Sequence, residues 1–266
     1  MRARSVLAAA AALPVAVLAV TLTLALPARA ADRLVTIDTR PGVKVGYFWM
    51  ERPDASAVLV LLTGGPGGLG MKDGVPTSPN FLLRSRDRFA AAGFDLALVG
   101  KPSDQEDLDL AFRASAEHVA DLKRVVEKLR AETGKPVWLV GTSRGTVSAA
   151  ATAIALGDAV AGVVLTSSIT QAKGPYAVED LDLARIKVPV LVMHHKRDKC
   201  NATLPSDVGL IIDGLKNAPV KKLAMVDGGS GASGDPCEPW HWHGYVGMEQ
   251  EAVDAIVAFV RNPQAR

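Results

Sequence analysis

Residues 137–145 read Val-Trp-Leu-Val-Gly-Thr-Ser-Arg-Gly and join the end of an apolar strand to a tight turn. The turn has the pattern Gly-x-Ser-x-Gly centred on Ser143, and the Ala-rich stretch 146–156 that follows suits a helix packed closely on a sheet. In this context the serine hydroxyl stands above the sheet edge, and the two glycines leave room for a strained backbone. Ser103 and Ser168 are the best competing serines, and neither has glycines at this spacing. The stretch therefore predicts that Ser143 is a nucleophile.

Short apolar runs and helical patterns alternate on both sides of this motif. The alternation predicts one α/β domain over residues 31–266, with a mainly parallel sheet covered by helices on both faces. Residues 169–187 are too few for a cap domain and enough for one crossover helix, so an open site is expected. The strands are predicted at 33–39, 43–51, 57–63, 95–99, 137–140, 163–165, 190–193 and 220–226, and the helices at 81–92, 115–133, 146–156, 205–215 and 249–261.

A nucleophilic serine requires a base, and the base requires an acid that orients it. Asp198 follows the apolar run 188–195 and is predicted to lie at the carboxyl edge of the sheet, where such an acid belongs. Two histidines, His241 and His243, lie between the last strand and the last helix. We favour His243 as the base because it is nearer the final helix and its neighbour Gly244 permits a close backbone approach. His241 is then expected to be a wall or supporting residue.

The Gly-rich loop at residues 64–70, with the sequence GGPGGLG, follows the predicted strand 57–63. A tetrahedral oxyanion requires converging backbone N–H groups, and Pro66 has none to offer. Gly65 is the first choice for one donor, with Gly64 and Gly67 as alternatives. The second donor is expected to be the N–H of Arg144, the residue after the nucleophile.

The remaining histidines, His118, His194 and His195, are interpreted as structural. Adjacent histidines on a strand point to opposite faces, so a zinc site built from His194, His195 and Asp198 is not expected. The sequence thus predicts a site that works without a metal or cofactor.

The N-terminal 30 residues have the composition of a secretory signal peptide. Arg2 and Arg4 precede an apolar stretch at 6–26, and Ala28 and Ala30 provide the small residues of a cleavage site. We expect cleavage after Ala30, with an uncleaved membrane anchor as the alternative, since the apolar stretch is long enough to span a bilayer.

The charge balance of the chain excludes partners that are bound by charge neutralisation. The 266 residues carry 30 basic and 28 acidic side chains, a formal net charge of +2. The first 30 residues contain three arginines and no acid, so the rest of the chain has 27 basic and 28 acidic side chains. Neither nucleic acid nor, after signal cleavage, a membrane is an expected partner. The expected partner is a small-molecule or acyl substrate, and the sequence leaves the oligomeric state open.

The chain has two cysteines, Cys200 and Cys237. In an exported protein an even pair most often forms a disulfide. Cys200 follows Asp198 by two residues and Cys237 precedes His243 by six. A bond between them would therefore tie the acid loop to the histidine loop.

The set of motifs around Gly65, Ser143, Asp198 and His243 resembles the α/β-hydrolase superfamily, and the resemblance covers nearly all of residues 31–266 in order. Within it the chain is similar to small exported bacterial hydrolases without a sizeable cap domain. The resemblance implies a serine esterase whose triad consists of Ser143, Asp198 and His243.

Two other functions remain open. The Gly-Gly-Pro-Gly loop is similar to that of proline iminopeptidases, which implies a peptidase or amidase of the same fold. Thr63 stands where that loop usually begins with His, and this departure argues against a peptidase. A non-catalytic binding protein of the hydrolase fold is less expected, because all three triad positions are filled.

Overall fold

The computed structural model describes residues 31–264, which form ten strands and seven α-helices around one large sheet. The strands are β1 (Arg33–Arg40), β2 (Val43–Met50), β3 (Val58–Leu62), β4 (Met71–Lys72), β5 (Val75–Pro76), β6 (Asp95–Pro102), β7 (Val137–Thr142), β8 (Gly162–Thr166), β9 (Val190–His195) and β10 (Lys221–Val226). The helices are α1 (Phe81–Arg84), α2 (Arg86–Ala91), α3 (Leu110–Arg113), α4 (Ala116–Thr133), α5 (Gly145–Leu156), α6 (Val208–Gly214) and α7 (Glu249–Arg261).

Eight strands form the main sheet in the order β1-β2-β6-β3-β7-β8-β9-β10. The pairs β1–β2 and β2–β6 are antiparallel, whereas every pair from β6 through β3, β7, β8 and β9 to β10 is parallel. The carboxyl ends of β3, β7 and β9 therefore open onto one edge of the sheet, where α/β proteins bind ligands. The mainly parallel sheet of the sequence prediction is confirmed.

Strand β3 shows why the apolar runs predict buried strands. All five of its residues are buried, and their side chains alternate between two hydrophobic clusters. Val58, Val60 and Leu62 pack in the cluster that contains the buried side chains of α4 and α5, and Leu59 and Leu61 pack in the cluster that contains those of α1, α2 and α7. A strand that is covered on both faces has no solvent-exposed side chains, so its sequence is continuously apolar.

The predicted crossover helix within 169–187 is wrong. In its place the chain makes two single 3₁₀ turns, Val178–Asp180 and Leu183–Arg185. Gly174 has a positive φ of 83°, and Pro175 lacks the N–H that a helix would use, so the segment cannot continue as a regular helix. Val178 and Leu183 are nevertheless buried in the core, so the connection packs against the rest of the domain.

Other elements differ from prediction only locally. The predicted helix 81–92 is divided at Ser85, which ends α1 and begins α2. The sequence patterns did not predict the small β4–β5 hairpin or the one-turn helix α3.

The predicted signal peptide, residues 1–30, lies outside the described residues. Within residues 31–264, no helix is both long and apolar enough to cross a bilayer.

Candidate active site

Ser143 lies on a strained turn between β7 and α5, with a φ of 53° that few non-glycine residues adopt. The flanking glycines are required by close backbone contacts. A Cβ on Gly141 would lie 2.4 Å from the carbonyl oxygen of Gly145, and one on Gly145 would lie 2.0 Å from the carbonyl oxygen of Leu62. The Gly-x-Ser-x-Gly pattern thus has the steric origin that the sequence analysis assigned to it.

Asp198 and His243, predicted from separate parts of the sequence, meet beyond the end of β9. His243 Nδ1 lies 2.9 Å from Asp198 Oδ2, and both side chains are almost fully buried. The N–H of Cys200 donates to Asp198 Oδ1 at 2.9 Å, and Thr203 Oγ1 donates to Oδ2 at 3.0 Å. These donors fix the carboxylate so that one oxygen faces the imidazole. Thr203 is a supporting residue that no pattern in the sequence indicates.

The backbone around His243 is held by three contacts. Ser167 Oγ donates to the His243 carbonyl oxygen at 2.8 Å, and Tyr245 Oη donates to the Met193 carbonyl oxygen at 2.9 Å. The Arg84 guanidinium donates to the carbonyl oxygen of the residue that follows His243. Because these contacts come from β9, from α1 and from the residue that follows β8, the backbone around His243 is anchored to the sheet and to α1.

Ser143 and His243 line the same cavity, which has a volume of about 310 Å³. Pro66, Phe81 and Pro239 supply apolar surface to its wall. Within residues 31–264, Ser143 Oγ makes no hydrogen bond, and none joins it to His243. The structure therefore brings Asp198 and His243, the predicted acid and base, into contact and places Ser143 on the cavity that His243 lines.

Of the two residues predicted to supply oxyanion donors, Gly65 lines the cavity and Arg144 is not among the residues that line it. Neither the Gly65 nor the Arg144 N–H donates a hydrogen bond to any part of the chain that the structure describes. The Gly67 N–H, an alternative in the sequence analysis, instead donates to the Gly64 carbonyl oxygen at 3.2 Å. A Cβ on Gly64 would lie 2.7 Å from Ser143 Cβ, so the loop packs directly against the serine turn.

The other histidines have structural contacts. His241 packs edge-on against Trp242 at 4.8 Å and does not line the cavity. His118 Nε2 lies 2.9 Å from Ser148 Oγ, and His194 Nε2 accepts the Ser168 N–H. In the described part of the chain, no three His, Cys, Asp or Glu side chains are grouped to hold a metal.

Burial of His194 makes the free energy of unfolding depend on pH. Burial lowers the pKa of His194 to about 3, against an ordinary value of 6.5. Below pH 6.5 His194 becomes protonated in the unfolded chain but stays neutral in the folded protein. The contribution of His194 to the free energy of unfolding is therefore complete above pH 6.5 and decreases as the pH falls towards 3. We expect wild type to lose about 1.2 kcal/mol more between pH 6 and 5 than His194→Asn, measured by urea unfolding. Equal slopes for the two proteins would contradict this.

Cys200 and Cys237 form a disulfide with their Cα atoms 4.5 Å apart, so the predicted pairing is confirmed. Cys200 is buried beside the acid, and Cys237 lines the cavity. The bond therefore joins the loop after β9 to the loop that carries His243.

Comparison with known proteins gives a likeness in three dimensions only. No protein-family model and no curated protein matches the sequence. Among solved structures, a dienelactone hydrolase from Anabaena variabilis superposes with a TM-score of 0.62 at 16% identity, over 90% of this chain and 100% of that one. An esterase from Pyrococcus furiosus gives a TM-score of 0.62 at 16% identity, over 87% and 92%.

A third solved structure bears on the missing cap. An α/β serine hydrolase without a lid, from Xanthomonas campestris, gives a TM-score of 0.59 at 17% identity and covers 91% of this chain and 98% of that one. The likeness extends over nearly the whole described chain, and the connections between the described strands contain no extra helical layer. The protein, over residues 31–264, therefore has the α/β-hydrolase fold with no sizeable cap domain.

Proposed function

We propose that the protein is a serine hydrolase that cleaves carboxylic esters through an acyl-enzyme intermediate. One observation carries the proposal. His243, hydrogen-bonded to Asp198, lines the same cavity as Ser143, which lies on a strained turn. Strain of this kind is maintained where the surrounding structure forces it, and it concentrates at functional sites.

Each residue of the proposed triad has a defined part. Ser143 Oγ attacks the acyl carbon while His243 Nε2 takes its proton and then delivers it to the departing alkoxide. Asp198 Oδ2 accepts the hydrogen bond of the Nδ1–H group, which fixes the tautomer and stabilises the imidazolium that forms. Water, activated by the same imidazole, then hydrolyses the acyl-enzyme.

Two backbone groups are proposed to stabilise the negative oxygen of each tetrahedral intermediate. The Gly65 and Arg144 N–H groups have no partner among the described residues, so binding the oxyanion breaks no existing hydrogen bond of theirs. Donors already in place need no reorganisation during the reaction, and each contributes about 10²–10³-fold to kcat.

The cavity favours a small, uncharged acyl substrate. Its volume of about 310 Å³ is at the lower end of ligand sites, which span roughly 300–1,000 Å³. Proline and phenylalanine side chains form much of the wall, and Glu238 is the one charged residue among those that line it. A carboxylate at the rim repels anionic substrates. The absence of a cap in the described chain leaves the mouth open to leaving groups of varied size.

A labelling experiment tests the proposal directly. A fluorophosphonate probe should modify the wild-type protein at Ser143, because such probes require an activated serine, and Ser143→Ala should not be labelled. The protein should then hydrolyse short p-nitrophenyl esters with a higher kcat/KM than aminoacyl p-nitroanilides.

Three outcomes would contradict the proposal. Absence of labelling in the folded wild type would indicate a non-catalytic protein of this fold. Labelling at a serine other than Ser143 would overturn the site. Faster cleavage of the anilides than of the esters would indicate a peptidase or amidase.

We also propose that the protein is exported. The support comes from the Cys200–Cys237 disulfide, since such bonds persist in oxidising compartments, and from the signal-peptide composition of residues 1–30. Export places the enzyme where esters of environmental origin are met.

A further inference from the structure

A single cation is buried behind the Gly-rich loop. The side chain of Arg113, at the end of α3, belongs to a residue that is only 1% exposed. No carboxylate of the described chain lies within ion-pair distance of its guanidinium, although buried arginines are normally paired. Burying an unpaired charge costs free energy of folding unless hydrogen bonds compensate for the lost hydration. The hydrogen-bond partners of Arg113 therefore indicate what its burial achieves.

The guanidinium uses its donors to connect three separate segments. Nε donates to the Leu108 carbonyl oxygen at 2.9 Å, and one terminal nitrogen donates to Ser148 Oγ in α5 at 3.0 Å. The other terminal nitrogen donates to the Gly65 carbonyl oxygen at 3.1 Å. Arg113 therefore links the first turn of α5, the helix that follows Ser143, to Gly65, the residue that offers the first proposed oxyanion donor.

The conformation of Gly65 explains why this contact matters. Gly65 has a positive φ of 55°, and a Cβ there would meet no atom within 4 Å, so side-chain packing does not hold the residue. Pro66 follows it and offers no N–H to the loop. Within residues 31–264, the hydrogen bond from Arg113 is the one side-chain hydrogen bond to Gly65; it fixes the Gly65–Pro66 peptide, while the Gly67 N–H holds the Gly64 carbonyl on the other side.

Ser148 and His118 hold the Arg113 guanidinium in its position through a chain of hydrogen bonds. A guanidinium can only donate, so Ser148 Oγ accepts from it and can pass its own hydrogen to His118 Nε2, which lies 2.9 Å away. Burial lowers the pKa of Arg113 to about 9, which still leaves the side chain charged at neutral pH. Burial also lowers the pKa of His118 to about 3, so the imidazole is neutral and able to accept.

We propose that Arg113 is a positioning residue for the oxyanion hole, and that it acts by fixing Gly65. This inference rests on the proposed function of the site. Arg113 does not line the cavity, so it is not expected to touch substrate. Its effect should appear in the transition state, where the Gly65 N–H must meet the oxyanion, and not in ground-state binding.

Two substitutions separate geometry from charge. Arg113→Lys keeps the positive charge, but one ammonium group cannot reproduce the planar fork that reaches three acceptors. We expect kcat for a p-nitrophenyl ester to fall by about 10²-fold with KM within about twofold, because an active-site misplacement of about 1 Å has an effect of that size. Ser148→Ala removes one of the three acceptors and should lower kcat by roughly tenfold, since two hydrogen bonds remain.

A matched control lies one turn further along α5. Thr152 is also buried, and its hydroxyl makes no hydrogen bond within the described chain. Thr152→Val should therefore leave kcat unchanged. Kinetics are normalised to the serine titrated with the fluorophosphonate, so a variant that is partly unfolded does not simulate a loss of kcat.

A transition-state analogue supplies the second readout. Phenylboronic acid forms an anionic tetrahedral adduct on a nucleophilic serine, so its inhibition constant should rise in proportion to the loss of kcat in Arg113→Lys and Ser148→Ala. Wild-type kcat in folded Arg113→Lys would overturn the inference. A rise in KM with kcat and boronate affinity intact would also overturn it. If the wild type hydrolyses esters in either case, the proposed function stands and only the role of Arg113 is wrong.

Discussion

Ser143→Ala and His243→Ala are each expected to lower kcat for the best ester substrate by about 10⁶-fold, because a nucleophile and its base act as one unit. The fold should survive both changes. The Ser143 hydroxyl makes no hydrogen bond within the described chain, and Ala meets the same positive φ that Ser already tolerates. The double variant should be no slower than either single variant. Kinetics with active-site titration and urea unfolding of the same samples measure the two effects separately.

The control variants replace Ser168 and His241, the residues that the sequence offers as alternatives to Ser143 and His243. Ser168 is buried, and its hydroxyl has no hydrogen-bond partner within residues 31–264, so Ser168→Ala should keep wild-type activity. His241 does not line the cavity, and His241→Ala should retain kcat within about tenfold, the loss coming from looser packing on Trp242. An inactive His241→Ala beside an active His243→Ala would reverse the assignment of the base.

In the proposed mechanism Asp198 contributes by orienting His243, so its replacement is expected to have a smaller effect on kcat. Asp198→Asn preserves the shape of the side chain but presents an amide to the Nδ1 atom of His243, which favours the wrong tautomer and should lower kcat by about 10⁴-fold. Thr203→Val removes the hydroxyl that donates to the same carboxylate and should cause a loss of roughly tenfold.

Sequence reasoning locates residues whose roles follow from local chemistry. The strand–turn–helix around Ser143 is visible because β7 is continuously apolar and the turn needs glycines at fixed positions. Asp198 and the disulfide were predictable because chain order and compartment constrain them. Helix α7 was predicted with its observed bounds, Glu249–Arg261, because its apolar residues recur strictly at helical spacing.

Residues that act through long-range contacts leave no such signal. Arg113 ends a one-turn helix within a charged stretch, and in sequence it has the pattern of a surface residue. The Gly-rich loop packs over it, since a Cβ on Gly67 would lie 3.2 Å from one of its terminal nitrogens, and Ser148 of α5 contacts it from another side. Ser167 reaches the His243 carbonyl oxygen across 76 residues of sequence, and Thr203 Oγ1 lies 3.1 Å from His243 Nδ1 across 40. The irregular path of 169–187 has a local cause in Gly174 and Pro175, which interrupt a helix, and a long-range cause in the burial of Val178 and Leu183 in the core.

The Cys200–Cys237 bond is expected to support both stability and catalysis. The two cysteines are 37 residues apart, and a cross-link over such a loop stabilises by about 3–4 kcal/mol in the chain-entropy model. Its position has a second effect. The N–H of Cys200 donates to Asp198 Oδ1, so the bond restrains a residue that orients the acid. At its other end, the bond restrains the segment 228–242 that leads to His243. Four glycines of this segment have positive φ, namely Gly228, Gly229, Gly231 and Gly234.

Cys200→Ser should therefore lower the free energy of unfolding by about 3 kcal/mol and kcat by about tenfold in the fully folded protein. We expect a tenfold rather than a larger loss because Ser167 still holds the His243 carbonyl and Tyr245 still holds β9. Cys237→Ser should give the same loss of stability, with a higher KM as well, because Cys237 lines the cavity. Urea unfolding and titrated kinetics at low denaturant measure the two quantities.

A core variant with a similar loss of stability separates the effect of the disulfide on kcat from its effect on the free energy of unfolding. Leu129 is buried in α4, on the sheet face opposite to α1 and α7, and Leu129→Ala should lose about 2–5 kcal/mol by leaving a cavity. Its folded fraction should turn over at the wild-type rate, because nothing near Asp198 or His243 has moved. If Leu129→Ala and Cys200→Ser lowered kcat equally, the disulfide would have no catalytic role. Titration of the denatured, unreduced wild type should find no free thiol, and two thiols per chain would show that the bond does not form in the protein.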